Sequence, residues 1–230
     1  MGYLTRVILG LMLVSSARVA VAQNGALDTA LVHAIEERVL SREHYMIDGG
    51  RVRFSDEVSH IIPGLHYRWA DYSYWDTAVT SHYFAAAAIG LAENRVVQSA
   101  ADWGAVVGSW GPRTPTEAKN ACVEMFRIVR SDAGPGLDRY MLYEPPTSPL
   151  PEMEASEERY LRRRMRSRSV VRALTSPARW EVEVWAFSGG GNETGHRVRC
   201  TLPRMDRSTP SSFRVEIART VQAPANPLLM

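Results

Sequence analysis

The clearest pattern in the chain lies between Arg179 and Arg219. Trp180, Val182, Val184 and Ala186 alternate with Glu181, Glu183, Trp185 and Phe187, the period of two that marks a strand with one buried face. The run Ser188-Gly189-Gly190-Gly191-Asn192-Glu193-Thr194-Gly195 is turn-forming and reverses the chain. His196, Val198, Cys200 and Leu202 then alternate with Arg197, Arg199 and Thr201, and Phe213, Val215 and Ile217 alternate with Arg214 and Glu216. The spacing predicts a three-stranded antiparallel meander over about residues 180–218. Setting the apolar residues on one face puts Glu181 and Glu183 on the face that carries Arg197, Arg199, Arg214 and Glu216. Opposite charges on neighbouring strands stabilise a sheet by ~0.2–1 kcal/mol per pair, so charge and hydrophobicity select the same register.

Upstream, helical periods dominate. Leu27, Leu31, Ile35 and Val39 recur every fourth residue and predict an amphipathic helix over 26–41. Val52 and Phe54 alternate with Arg51 and Arg53 as a short strand after the turn Asp48-Gly49-Gly50. The apolar runs 82–91 and 95–99 read as a hairpin, with a helix as the competing reading of the alanine run. Trp103, Val106, Val107 and Trp110 have helical spacing up to Gly111-Pro112. Thr114-Pro115-Thr116-Glu117 is a capping box with proline at the first helical position. It opens a helix over 115–130 whose stripe of Ala118, Ala121, Cys122, Met125, Ile128 and Val129 should lie against a sheet.

The fold class this predicts is α+β: a meander packed by helices, preceded by a helix-hairpin-helix half over 23–131. Gly134-Pro135-Gly136 and Pro145, Pro146, Pro149 and Pro151 mark 132–158 as a long connection or linker. An arginine-rich segment and the meander fill 159–221, and 222–230 is a tail. A helix docked on an antiparallel meander resembles the broad cystatin-like and nuclear-transport-factor-like group of α+β folds. That group hosts binding proteins and enzymes alike, so the resemblance implies an architecture and no function.

Composition changes the picture at the N-terminus. Arg6, the apolar run Val7–Val14 and the small-x-small site Ala20-Val21-Ala22 have the layout of a secretory signal peptide over 1–22. The run is shorter than the ~20 residues of a membrane span. The expectation is an exported chain, periplasmic or extracellular, with no stable membrane span after cleavage. The 27 basic and 25 acidic residues of the full chain become 25 and 25 once Arg6 and Arg18 are removed with the leader. A neutral mature chain removes the global electrostatic argument for nucleic-acid binding. The dense run Arg159, Arg162, Arg163, Arg164, Arg166, Arg168 and Arg172 follows Glu152, Glu154, Glu157 and Glu158, the order a helix dipole favours, and reads as a solvated face.

Cys122 and Cys200 are the two cysteines, an even number for an oxidising compartment. Cys200 falls on the apolar face of the second meander strand and Cys122 on the stripe of the 115–130 helix. A disulfide forms if that helix packs on that sheet; two thiols in separate cores is the other reading.

Candidate chemistry is sparse. The sequence carries no H-E-x-x-H, paired C-x-x-C, P-loop or G-x-S-x-G pattern, and it implies no cofactor or metal site. The densest aromatic stretch, 66–76, interleaves Tyr67, Trp69, Tyr72, Tyr74 and Trp75 with His66, Arg68, Asp71 and Asp76. Exposed rings there would form a contact surface, with Arg68, Trp69, Tyr72, Tyr74 and Trp75 as the ligand-binding set. The expected function is a non-catalytic exported protein that binds another envelope or secreted protein or a small ligand. The alternative is a small secreted hydrolase using His66 or His82 with Asp71 or Asp76, histidine supplying the base and a carboxylate orienting it. That reading requires those groups within hydrogen-bond reach in a cleft, whereas the binding reading requires Trp69, Tyr72 and Trp75 to be exposed.

Overall fold

The computed structural model of the chain describes residues 25–41, 51–76, 79–90, 92–130, 140–145, 150, 155–175, 178–188, 194–204 and 213–223; the leader expected at 1–22 and most of the expected tail lie outside them. Helix α1 (residues 25–41) precedes β1 (Arg51–Val58), β2 (His66–Asp76), β3 (Val79–Ile89) and β4 (Asn94–Val96). Helices α2 (Ala100–Val107) and α3 (Pro115–Arg130) follow. The remainder is β5 (Met141–Tyr143), α4 (Ala155–Arg164), β6 (Val170–Thr175), β7 (Ala178–Ser188), β8 (Thr194–Pro203) and β9 (Arg214–Gln222). The N-terminal sheet has the order β1-β2-β3-β4. The C-terminal sheet has the order β5-β7-β8-β9, with β6 pairing β7 beside β5. All pairings are antiparallel, and the class is α+β.

The elements stack as alternating layers. α1 covers one face of the N-terminal sheet, setting Leu27, Leu31, Ile35 and Val39 on Ala70, Tyr72, Ala85 and Ala87. The opposite face, through Tyr67, Trp69, Ala86 and Ala88, shares one core with α2, α3 and the inner face of the C-terminal sheet. Leu161 and Met165 of the α4 region cover part of that sheet's outer face over Trp185, Phe187 and Val221. Close approach is possible there because Gly195 has no side chain: a Cβ would sit 2.3 Å from Met165 Sδ.

The meander has the expected register. Glu183 faces Arg199, which faces Glu216, and Val182, Cys200 and Val215 align on the core side. A register shift between Arg197 and Val198 interrupts the alternation on β9, and Ile217 is exposed rather than buried. Thr114 caps α3 as expected, Glu117 N donating to its Oγ1 at 3.1 Å, whereas the Glu117 carboxylate reaches one residue past the cap and accepts from Arg113 N at 2.7 Å.

Several bounds shift. The short strand and the hairpin of the N-terminal half belong to a four-stranded sheet, with the aromatic stretch as its second strand. The helix expected through Trp110 stops at Val107, where Gly108 takes a φ of 59° and its N–H caps Gly104 O. The span 132–158 contributes β5 and the first turn of α4. The arginine run is helical only to Arg164, and Arg172 lies on β6.

Cys122 of α3 and Cys200 of β8 are joined by a disulfide, with their Cα atoms 5.7 Å apart. Among the described residues no helix is long and apolar enough to cross a membrane.

Candidate functional site

The aromatic stretch is the interior strand β2. Successive side chains of a strand alternate faces, and β2 lies between α1 and α3, so both faces are interior. Trp69 is fully buried toward α3 and donates its indole N–H to Glu57 Oε2 at 3.0 Å. Tyr72 is buried against α1. Arg68 is clamped by Asp28 at 2.6 Å and Asp56 at 3.0 Å. Trp69 and Tyr72 therefore cannot serve as an exposed contact surface, and this correction follows from the helix on each side of the strand. Tyr74, Trp75 and Asp76 are on β2, but their side chains are outside the described set.

The acid-base grouping is partly assembled. His82 Nδ1 lies 2.9 Å from Asp71 Oδ1, and Ser73 sits directly across the ladder from His82. The His82 ring stacks on Phe84 with centroids 5.8 Å apart. The pair is open to solvent, with side chains 43% and 26% exposed. His66 opens β2 opposite Val58 and Ile89, seven residues from Ser73 and so about 23 Å away along the strand. It belongs to no common site with His82.

A polar cluster that periodicity did not reveal lies between α3 and the N-terminal sheet. Ser59 Oγ and Tyr67 Oη each donate to Glu124 Oε1 at 2.6 Å, and Trp103 Nε1 donates to Tyr67 Oη at 3.2 Å. Arg127 Nη1 donates to Glu57 Oε2 at 2.8 Å and its guanidinium lies over the Trp69 ring at 5.6 Å. Burial pushes the Glu124 carboxyl above its ordinary range against the opposing pull of those hydrogen bonds and Arg127. Burial likewise holds the Tyr67 phenol well above its ordinary value. Glu124, Arg127 and Tyr67 are all inaccessible to solvent, so this is a structural seam. The i, i+3 spacing of Glu124 and Arg127 was the available signal, but it also fits an ordinary solvated helix face.

The accessible feature is the half of the C-terminal sheet's outer face that α4 leaves open. Two ladder rows cross it: Val170–Glu183–Arg199–Glu216 and Arg172–Glu181–Thr201–Arg214. Residues of both rows line a cavity of about 830 Å³, together with residues 99–101 at the start of α2 and the core-side positions Val182, Cys200, Phe213 and Val215. Glu183 organises the first row, accepting from Arg197 Nε at 2.7 Å and Arg199 Nε at 3.1 Å. The Arg197 hydrogen bond, followed by that of Arg199, holds the Glu183 carboxyl below its ordinary range. Arg197 is fixed in turn by the carbonyls of Ser167 and Arg168 at 3.1 and 2.8 Å. Glu181 pairs with Arg179 at 2.8 Å. Arg172 and Arg214, exposed at the two ends of the second row, have no carboxylate partner among the described residues. Three strand spacings separate them, about 14 Å.

Among the described residues no group of three or more histidine, cysteine or acidic side chains is placed to hold a metal ion. No family model, curated protein or solved structure matches the chain.

Proposed function

We propose that the chain is an exported, non-catalytic binding protein of the cell envelope, and that its contact surface is the open outer face of the C-terminal sheet. The observation that carries this reading is the pair Arg172 and Arg214 in the lining of an 830 Å³ cavity whose other charged lining residues, Glu181, Glu183, Arg199 and Glu216, are already paired. A ligand that seats there gains two exposed guanidiniums without breaking an ion pair among the described residues. That suits a carboxylate-bearing segment of another envelope or secreted protein, or a small acidic ligand. The disulfide and the leader-like N-terminus support export.

The test joins location to contact. Protein recovered from the envelope fraction of its native host should have lost residues 1–22 and show no alkylatable thiol before reduction. A photoreactive amino acid at Thr201 should then give a discrete adduct that disappears in R172E/R214E. An unprocessed chain with free thiols overturns the export reading, and an adduct indifferent to both arginines overturns the surface.

The His82–Asp71 contact of 2.9 Å, with Ser73 opposite His82, favours one second reading, a secreted hydrolase. Labelling of Ser73 by a serine-directed fluorophosphonate, lost in His82→Ala, would establish it; an unlabelled folded protein removes it.

A further inference from the structure

β1 forms one complete margin of the N-terminal sheet. It pairs with β2 through all eight of its residues without a register shift, and no described strand pairs with its other side. Phe54 and Val58 are 37% and 53% exposed on it, among the most exposed large apolar side chains described. Sheet edges are ordinarily blunted by short length, bulges, proline or charged side chains. β1, with the sequence Arg-Val-Arg-Phe-Ser-Asp-Glu-Val, is long, unbulged and free of proline, so its charges alone decide what can pair with it.

The charges on β1 are sorted along its length. Arg51 and Arg53 occupy the first half, Asp56 and Glu57 the second. A strand with that order is complementary to itself when a second copy runs antiparallel. A twofold axis normal to the sheet keeps every side chain on its own face, so opposed residues must share parity. Centring the axis on Ser55 sets Arg53 opposite Glu57 of the second copy, Val52 opposite Val58 and Phe54 opposite Asp56. Arg53 then meets a carboxylate already positioned by Arg127 and Trp69. Val58 gains an apolar neighbour, and the Phe54 ring stays under the Arg68 guanidinium at 5.2 Å.

We propose that β1 is a homodimer interface, two copies pairing antiparallel about Ser55 so that two four-stranded sheets become one of eight strands. The occupant is a second copy of this chain because its own charge order supplies the complement. The inference is independent of the groove on the C-terminal sheet.

Light scattering on the oxidised mature protein tests it. The expected mass is twice that of one chain, falling to a single chain on dilution. Arg53→Glu, an exposed substitution that places like charges across both symmetry-related 53–57 pairs, should weaken association by about tenfold. Ser55→Cys should give a covalent dimer on mild oxidation with the native disulfide intact. Near-UV circular dichroism verifies that each variant is folded. A chain monomeric at ~1 mM overturns the proposal, as does a dimer that survives Arg53→Glu and leaves Ser55→Cys unlinked.

Discussion

Tyr67 and Glu124 meet across the seam between β2 and α3, the phenol donating to the carboxylate at 2.6 Å. Helix α3 is buried on both sides: its apolar stripe rests on the C-terminal sheet, and its polar side closes on Ser59, Tyr67 and Glu57. Burial raises the Glu124 carboxyl, so the folded chain holds this proton to higher pH than the unfolded chain does. The contribution of this group to stability is therefore fullest in acid and declines as pH rises from the ordinary glutamate range through the raised value. Glu124→Gln should flatten that slope in urea unfolding while still accepting both hydroxyls. Glu124→Leu leaves two buried donors unpaired and should cost about 1–3 kcal/mol for each.

Glu183 has the opposite sign. Arg197 and Arg199 depress its carboxyl, so its contribution is present above the ordinary glutamate range and is lost as pH falls through the depressed value. Glu183→Gln should lower stability by about 1–3 kcal/mol near neutrality and leave it unchanged at the acid extreme. Thermal unfolding across that range checks both ends.

The bridge between Cys122 and Cys200 closes a separation of 78 residues. Constraint of the unfolded chain by a loop of that size is worth about 4–5 kcal/mol in the chain-entropy model. Cys122→Ala/Cys200→Ala should lose most of that in denaturant titration, and reduction of the parent protein should reproduce the loss.

Gly104→Ala sets two effects against each other. Alanine favours the α2 helix by about 1 kcal/mol, but its Cβ would lie 2.4 Å from Phe213 Cδ2. That ring is held edge-on to Trp103 with centroids 5.3 Å apart and has little room to retreat. Overpacking of this kind costs about 1–3 kcal/mol, so the variant should melt lower. Adding Phe213→Leu should recover part of the loss.

Where one face of an element is wet, its pattern was readable from sequence. The β7–β9 register emerged because Glu183, Arg199 and Glu216 fall in one row while Val182, Cys200 and Val215 fall in another. α3 emerged because its cap and stripe are local. β2 did not, because α1 and α3 each cover a face and Tyr67, Trp69, Ala70 and Tyr72 are all interior, which erases alternation. For the same reason Glu124 and Arg127 read as solvated residues of an amphipathic helix. The charged outer face of the C-terminal sheet was legible in the same alternation, but how much of it α4 covers was not, because no periodicity encodes where α4 stops.

The two sides of α3 are joined by different chemistry. A covalent bridge fastens it to β8, whereas hydrogen bonds to a titrating carboxylate fasten it to β2. Stress should part the molecule along the second seam first. The backbone amides of β1–β3 should then exchange with solvent ahead of those of α3, β7 and β8, and increasingly so as pH rises.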